Sequence, residues 1–126
     1  IPCWVGYPTI GGYVIRIKGG KKHHKEIALQ TAEWCIDYFG LCDAAINFRL
    51  EKYKDCWGYC TEGNKEHSYN IKIATDQIFR DFVATVVHEM VHVMQWETGI
   101  WKGEGEREAS RLQYKLTDKL WQEGIL

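Results

Sequence analysis

The chain has 126 residues, 45% hydrophobic and 13% aromatic, with 16 basic against 17 acidic side chains and a formal net charge of −1. That length suits one domain, residues 1–126, around one core, and the near balance of charge excludes a nucleic-acid face built on basic excess. No apolar run reaches the roughly 18–20 residues that a membrane span requires.

The chain opens at Ile1 and not at methionine, so it is expected to be a trimmed or processed product, with any leader already removed. After Gly11-Gly12, residues 13–20 alternate Tyr13, Ile15 and Ile17 against Val14, Arg16 and Lys18, which predicts a strand closed by two glycines. In the following K-K-H-H-K-E-I-A-L-Q-T-A-E-W-C-I-D-Y-F-G, the spacing of Ile27, Leu29, Ala32, Trp34, Cys35, Ile36 and Phe39 predicts a helix that Gly40 stops. His23 and His24 read as a solvated helix start and not as ligands. Residues 44–53 alternate again, with Ile46, Phe48 and Leu50 on one side, and predict a second strand. Lys54 to Lys65 is polar and reads as a connection. Residues 68–74 give a third strand, 78–98 a helix ended by Gly99, and Glu104 to Glu123 a last helix. The order is that of a small α+β domain with helices packed on one sheet.

Five cysteines, Cys3, Cys35, Cys42, Cys56 and Cys60, are an odd number, compatible with two disulfides and a thiol or with reduced apolar side chains. Localisation therefore stays open. Cys56 and Cys60 in D-C-W-G-Y-C-T are either a local disulfide or two thiols.

The stretch V-V-H-E-M-V-H-V-M-Q, residues 86–95, lies inside the second helix. On a wheel of about 100° per residue, Phe79, Phe82, Val83, Val86, Val87, Met90, Val91, Val93 and Met94 cover more than half of the circumference. Asp81, Thr85, His88, His92 and Gln95 fall on one narrow polar stripe that Glu89 borders. His88 and His92, four apart, can point at one atom. Two imidazoles at this spacing suit two corners of a zinc tetrahedron, and Glu89, offset by about 100°, would stand beside a metal-bound water as its general base. The bland alternative is a pair of hydrogen-bonded core histidines. Two imidazoles and a carboxylate on one stripe of a mostly buried helix all need partners, and one cation satisfies them together.

A catalytic zinc site usually takes a third protein ligand. No histidine and no cysteine follows His92, so a carboxylate must serve, and E-G-E-R-E (104–108) offers three. Ala109, Leu112, Leu116 and Leu120 mark the buried face of the last helix. Glu106 lies about 60° from the centre of that face, Glu108 about 100° off on the other flank, and Glu104 about 140° off. The wheel selects Glu106 and leaves Glu104 and Glu108 as a solvated acidic helix start favoured by the dipole. Ser110 could hydrogen-bond a ligating histidine.

V-V-H-E-M-V-H-V-M-Q followed by G-E-R-E-A-S resembles the gluzincin metallopeptidases, whose first two ligands come from His-Glu-x-x-His and whose third is a glutamate on a later helix. Glu106 to Ser110 align with a Glu-x-Glu-Ala-Asn type of run, Ser110 standing where Asp or Asn is usual. The compact length and element order resemble the minigluzincins. The resemblance implies a mixed sheet of three to four strands above the active-site helix, one catalytic Zn2+ on His88, His92 and Glu106, and Glu89 as general base in peptide-bond hydrolysis. It also implies a peptide or protein substrate paired along an edge strand, here residues 68–74; a monomer is expected, and the charge balance and lack of a long apolar run leave no nucleic-acid or membrane partner expected. For oxyanion stabilisation Tyr114, Tyr7 and His67 stand as candidates. A zinc-binding regulatory or interaction module without proteolysis is the alternative, and a domain with no metal is the remaining rival.

Overall fold

The computed structural model describes residues 5–7, 12–100, 103 and 105–126. Its elements in chain order are β1 (Val5–Tyr7), β2 (Val14–Gly19), α1 (Lys22–Phe39), β3 (Ala45–Glu51), β4 (Gly58–Glu62), β5 (Ser68–Ala74), α2 (Phe79–Thr98) and α3 (Glu106–Gln122). The α+β class read from the sequence holds, and the helices cover one face of one mixed sheet. The sheet has five strands in the order β1-β2-β3-β5-β4. The additions to the three strands read from the alternation are β1 and β4.

The central rows of the sheet show why one face is dry. Ile15, Ile46 and Tyr69 lie side by side, as do Ile17, Phe48 and Ile71, because β2, β3 and β5 run parallel in that register. All six side chains are buried. The residues between them, Arg16, Asn47 and Asn70 in one row and Lys18, Arg49 and Lys72 in the next, stand on the opposite polar face. Period-two alternation therefore places the large apolar side chains of these rows toward the helices.

Helix α2 fills the space under the sheet. Val83, Val86, Val87, Met90, Val91 and Val93 are fully buried along it. β-branched valines are weak helix formers, but burying each such side chain contributes about 1.5–3 kcal/mol, which outweighs propensity losses of tenths. Gly99 closes the helix in the left-handed region at φ 68°, and its N–H donates to Gln95 O at 2.8 Å. No helix among the described residues is long and apolar enough to cross a membrane.

The position of the edge corrects one sequence expectation. Strand 68–74 is interior: β5 pairs with β3 on one side and antiparallel with β4 on the other. The free edge beside α2 belongs to β4, which the polar 54–65 stretch concealed. That strand is partly exposed throughout, so no apolar alternation announces it. Cys56 and Cys60 are free thiols, and Cys60 sits within β4 opposite Ile71.

Candidate metal centre

Helix α2 carries His88 and His92 on successive turns, and the first turn of α3 brings Glu106 across to them. His88 Nε2 lies 3.0 Å from one oxygen of Glu106 and His92 Nε2 lies 2.7 Å from the other. One ligand atom from each residue falls within 4.8 Å of the other two. The sequence-predicted set of His88, His92 and Glu106 thus converges at one point. The imidazoles are nearly covered, at 15% and 11% side-chain exposure, whereas Glu106 retains 58%. The site opens on the carboxylate side.

The hydrogen bonds behind the imidazoles decide what the site can hold. Gln95 Nε2 donates to Gly105 O at 2.9 Å and to Glu108 Oε1 at 3.0 Å. That leaves Gln95 Oε1 facing His92 Nδ1 at 2.9 Å. Gln113 Oε1 stands 2.6 Å from His88 Nδ1. An oxygen acceptor at each Nδ1 makes that nitrogen the protonated one. In the neutral form of each ring the Nε2 lone pair then points at a carboxylate that can only accept. A dication accommodates all three donors at once, and two nitrogens with one oxygen form a zinc donor set that leaves a fourth position open. The residues present fit the metal. Doubly protonated imidazoles would be the other way to satisfy the carboxylate.

Two of these supporting residues were not recognised as such from the sequence. The sequence puts Gln95 on the polar stripe without a role and does not single out Gln113. Gln113 falls seven residues after Glu106, about 20° from it on the α3 wheel, so a two-turn stripe of polar residues was the available signal. Ser110, expected to bond a histidine, is exposed instead. Glu108 is not simply solvated, since it accepts from Gln95. Glu104 lies outside the described residues.

A glycine makes the junction possible. Gly105 caps α3 at φ 79°, and a Cβ there would collide with the Gln95 carboxamide. Only a residue without a side chain lets α3 start this close to α2 while tolerating a left-handed backbone.

Glu89 sits beside this centre with 5% exposure. Burial first, and the charge of Glu106 second, push its carboxyl up to about 8. A cation in the site offsets the second cause. Gly58 of β4 covers the carboxylate: a Cβ on it would stand 2.8 Å from Glu89 Oε2. Two clefts meet at His88 and Glu89. One, of about 240 Å³, also reaches His92, Glu106 and Cys60; the other, of about 580 Å³, runs toward Asp81 and Tyr114. Burial and the nearby Glu89 charge hold the Cys60 thiol well above its ordinary value.

Tyr114 lines the larger cleft, and its hydroxyl donates to Asp81 Oδ1 at 2.7 Å. His67 lines neither cleft; its Nδ1 meets Glu97 Oε2 at 2.7 Å, which takes it away from the oxyanion role. The side chain of Tyr7 lies outside the described residues. His24 completes the start of α1, its Nδ1 accepting from Lys21 N–H at 3.0 Å, in keeping with the reading of that segment as a helix start.

Comparison with known proteins adds no relative: no family model, no curated protein and no solved structure matches the chain.

Proposed function

We propose that this chain is a zinc-dependent endopeptidase that resembles the gluzincins in its site. The observation that carries this reading is the convergence of two Nδ1-anchored imidazoles and Glu106 on one point, with the buried Glu89 carboxylate beside it. His88, His92 and Glu106 would hold the ion. Zinc bound there supplies Lewis acidity, which lowers the pKa of a water and polarises a carbonyl.

Glu89 would take a proton from the attacking water on its carboxylate and return it to the leaving amine. A carboxyl raised toward neutrality suits both transfers, because a general base works best with its pKa near the operating pH. Gln95 and Gln113 keep the ring nitrogens in the required tautomer throughout. The covering backbone at Gly58 limits access of bulk water to Glu89. The outer edge of β4 offers unpaired backbone groups to an extended peptide, and because Gly58 lies against Glu89, a peptide added there passes over the general base. This replaces strand 68–74 as the proposed substrate edge.

Metal analysis and cleavage of a broad peptide library, run on the wild type and on Glu89→Gln, test the reading. One zinc per chain is expected in both, with cleavage by the wild type alone and a loss of about 10²-fold or more in the variant. Equal cleavage by both refutes Glu89 as the base. One zinc in each with cleavage in neither identifies a zinc-binding module, and no zinc in either removes the metal reading.

A further inference from the structure

We infer that the larger cleft is a subsite for a basic side chain, lysine or arginine, of the peptide substrate, an inference that rests on the peptidase reading. The cleft of about 580 Å³ begins at His88 and Glu89, passes Asp81 and Asp76, and has Trp57 and Ile78 among its lining residues. Trp57 and Ile78 are 62% and 70% exposed. A side chain leaving the scissile region therefore meets both apolar surface and carboxylates.

The cleft lining carries Asp76, Asp81 and Glu89. Among the described residues, no lysine or arginine lines this cleft. Arg80 acts on Asp81 through space, but its guanidinium hydrogen bond goes to Asp118 at 2.9 Å and it stacks 4.6 Å from the centre of the Tyr114 ring. Asp81 lies seven residues before His88 on the same polar stripe of α2. Tyr114 donates to Asp81 Oδ1 and so acts as a positioning residue, fixing the carboxylate while its second oxygen remains for another donor.

Each substrate class meets this cleft differently. An acidic side chain faces like charge. An apolar one desolvates Asp81 without replacing its water. The stem of a lysine or arginine packs on apolar surface while its head reaches a carboxylate, and the Trp57 ring face adds a cation–π contact.

The test compares peptides that differ at one position among arginine, lysine, norleucine and glutamate, flanking the scissile bond. Cleavage by the zinc-loaded wild type should favour the basic peptides by about ten- to a hundredfold in kcat/KM, the scale of a charged hydrogen bond. Asp81→Asn, which keeps the shape and the acceptor for Tyr114, should collapse that ratio with metal content unchanged. Binding of the same peptides to zinc-loaded Glu89→Gln protein, with and without Asp81→Asn, is read by fluorescence anisotropy and needs no turnover. Cleavage or binding without a basic preference, or a preference indifferent to Asp81→Asn, overturns the subsite. Asp81-dependent binding of basic peptides without any cleavage by the wild type upholds the subsite and overturns the peptidase reading.

Discussion

Gln95 faces His92 across 2.9 Å, its carboxamide oxygen on Nδ1, while its nitrogen reaches over to the backbone of Gly105. One buried side chain thereby sets the tautomer of the His92 ring and ties the end of α2 to the start of α3. Gln95→Leu, similar in size but without the amide, is expected to weaken zinc binding by about 10- to 100-fold. Competition with a chromogenic chelator measures it, and an unchanged affinity would show that the ring orientation does not depend on this contact.

Glu106→Ala should abolish tight zinc binding, whereas Glu108→Ala, which removes only an acceptor for Gln95, should retain one zinc. Thermal melts provide a second readout. With zinc at about 100 times its Kd, the wild type gains about 2.7 kcal/mol over the metal-free chain, and Glu106→Ala gains none. A zinc-dependent shift in Glu106→Ala equal to that of wild type would reassign the third ligand.

Gly58→Ala would place its Cβ 2.5 Å from Thr85 Cγ2 and 2.8 Å from Glu89 Oε2. Such overpacking costs about 1–3 kcal/mol, which lowers Tm by several degrees in a domain of this size. Zinc content should persist, since the atoms nearest that Cβ belong to Thr85 and Glu89, but turnover should fall more than stability does. A variant with wild-type kcat would show that β4 yields without moving Glu89.

The pair formed by His67 and Glu97 makes stability depend on pH. The hydrogen bond from Glu97, then its charge, raises the His67 imidazole above its ordinary 6.5. A folded-state pKa above the unfolded one means that the contribution is complete below about 6.5 and disappears as pH rises through the higher folded value. The Tm difference between wild type and Glu97→Gln should therefore be larger at pH 5.5 than at pH 9. A difference that grows toward alkaline pH would contradict the pairing.

Residues 68–74 and the helix ended by Gly99 were legible in the sequence because strict alternation and a 3.6-residue period each report a half-buried surface. The clustering of His88, His92 and Glu106 was legible for the same reason. His88 and His92 lie on one stripe of a helix, and the lack of later histidine or cysteine left a carboxylate as third ligand. The segment from Gly58 to Glu62 was not legible. Its positions on the helix side of the sheet are Gly58, Cys60 and Glu62, and a partly exposed edge strand needs no apolar row.

The sequence by itself determined the elements that bury an apolar face and the residue types able to hold zinc, since both depend on spacing along one helix or strand. Only the tertiary structure decided which strand is the free edge, that Gln95 and Gln113 orient the imidazoles, that Glu108 braces Gln95, and that Gly58 and Gly105 bring backbone against the site. These are contacts between elements far apart in the chain. They depend on sheet order and helix packing, which local periodicity does not encode.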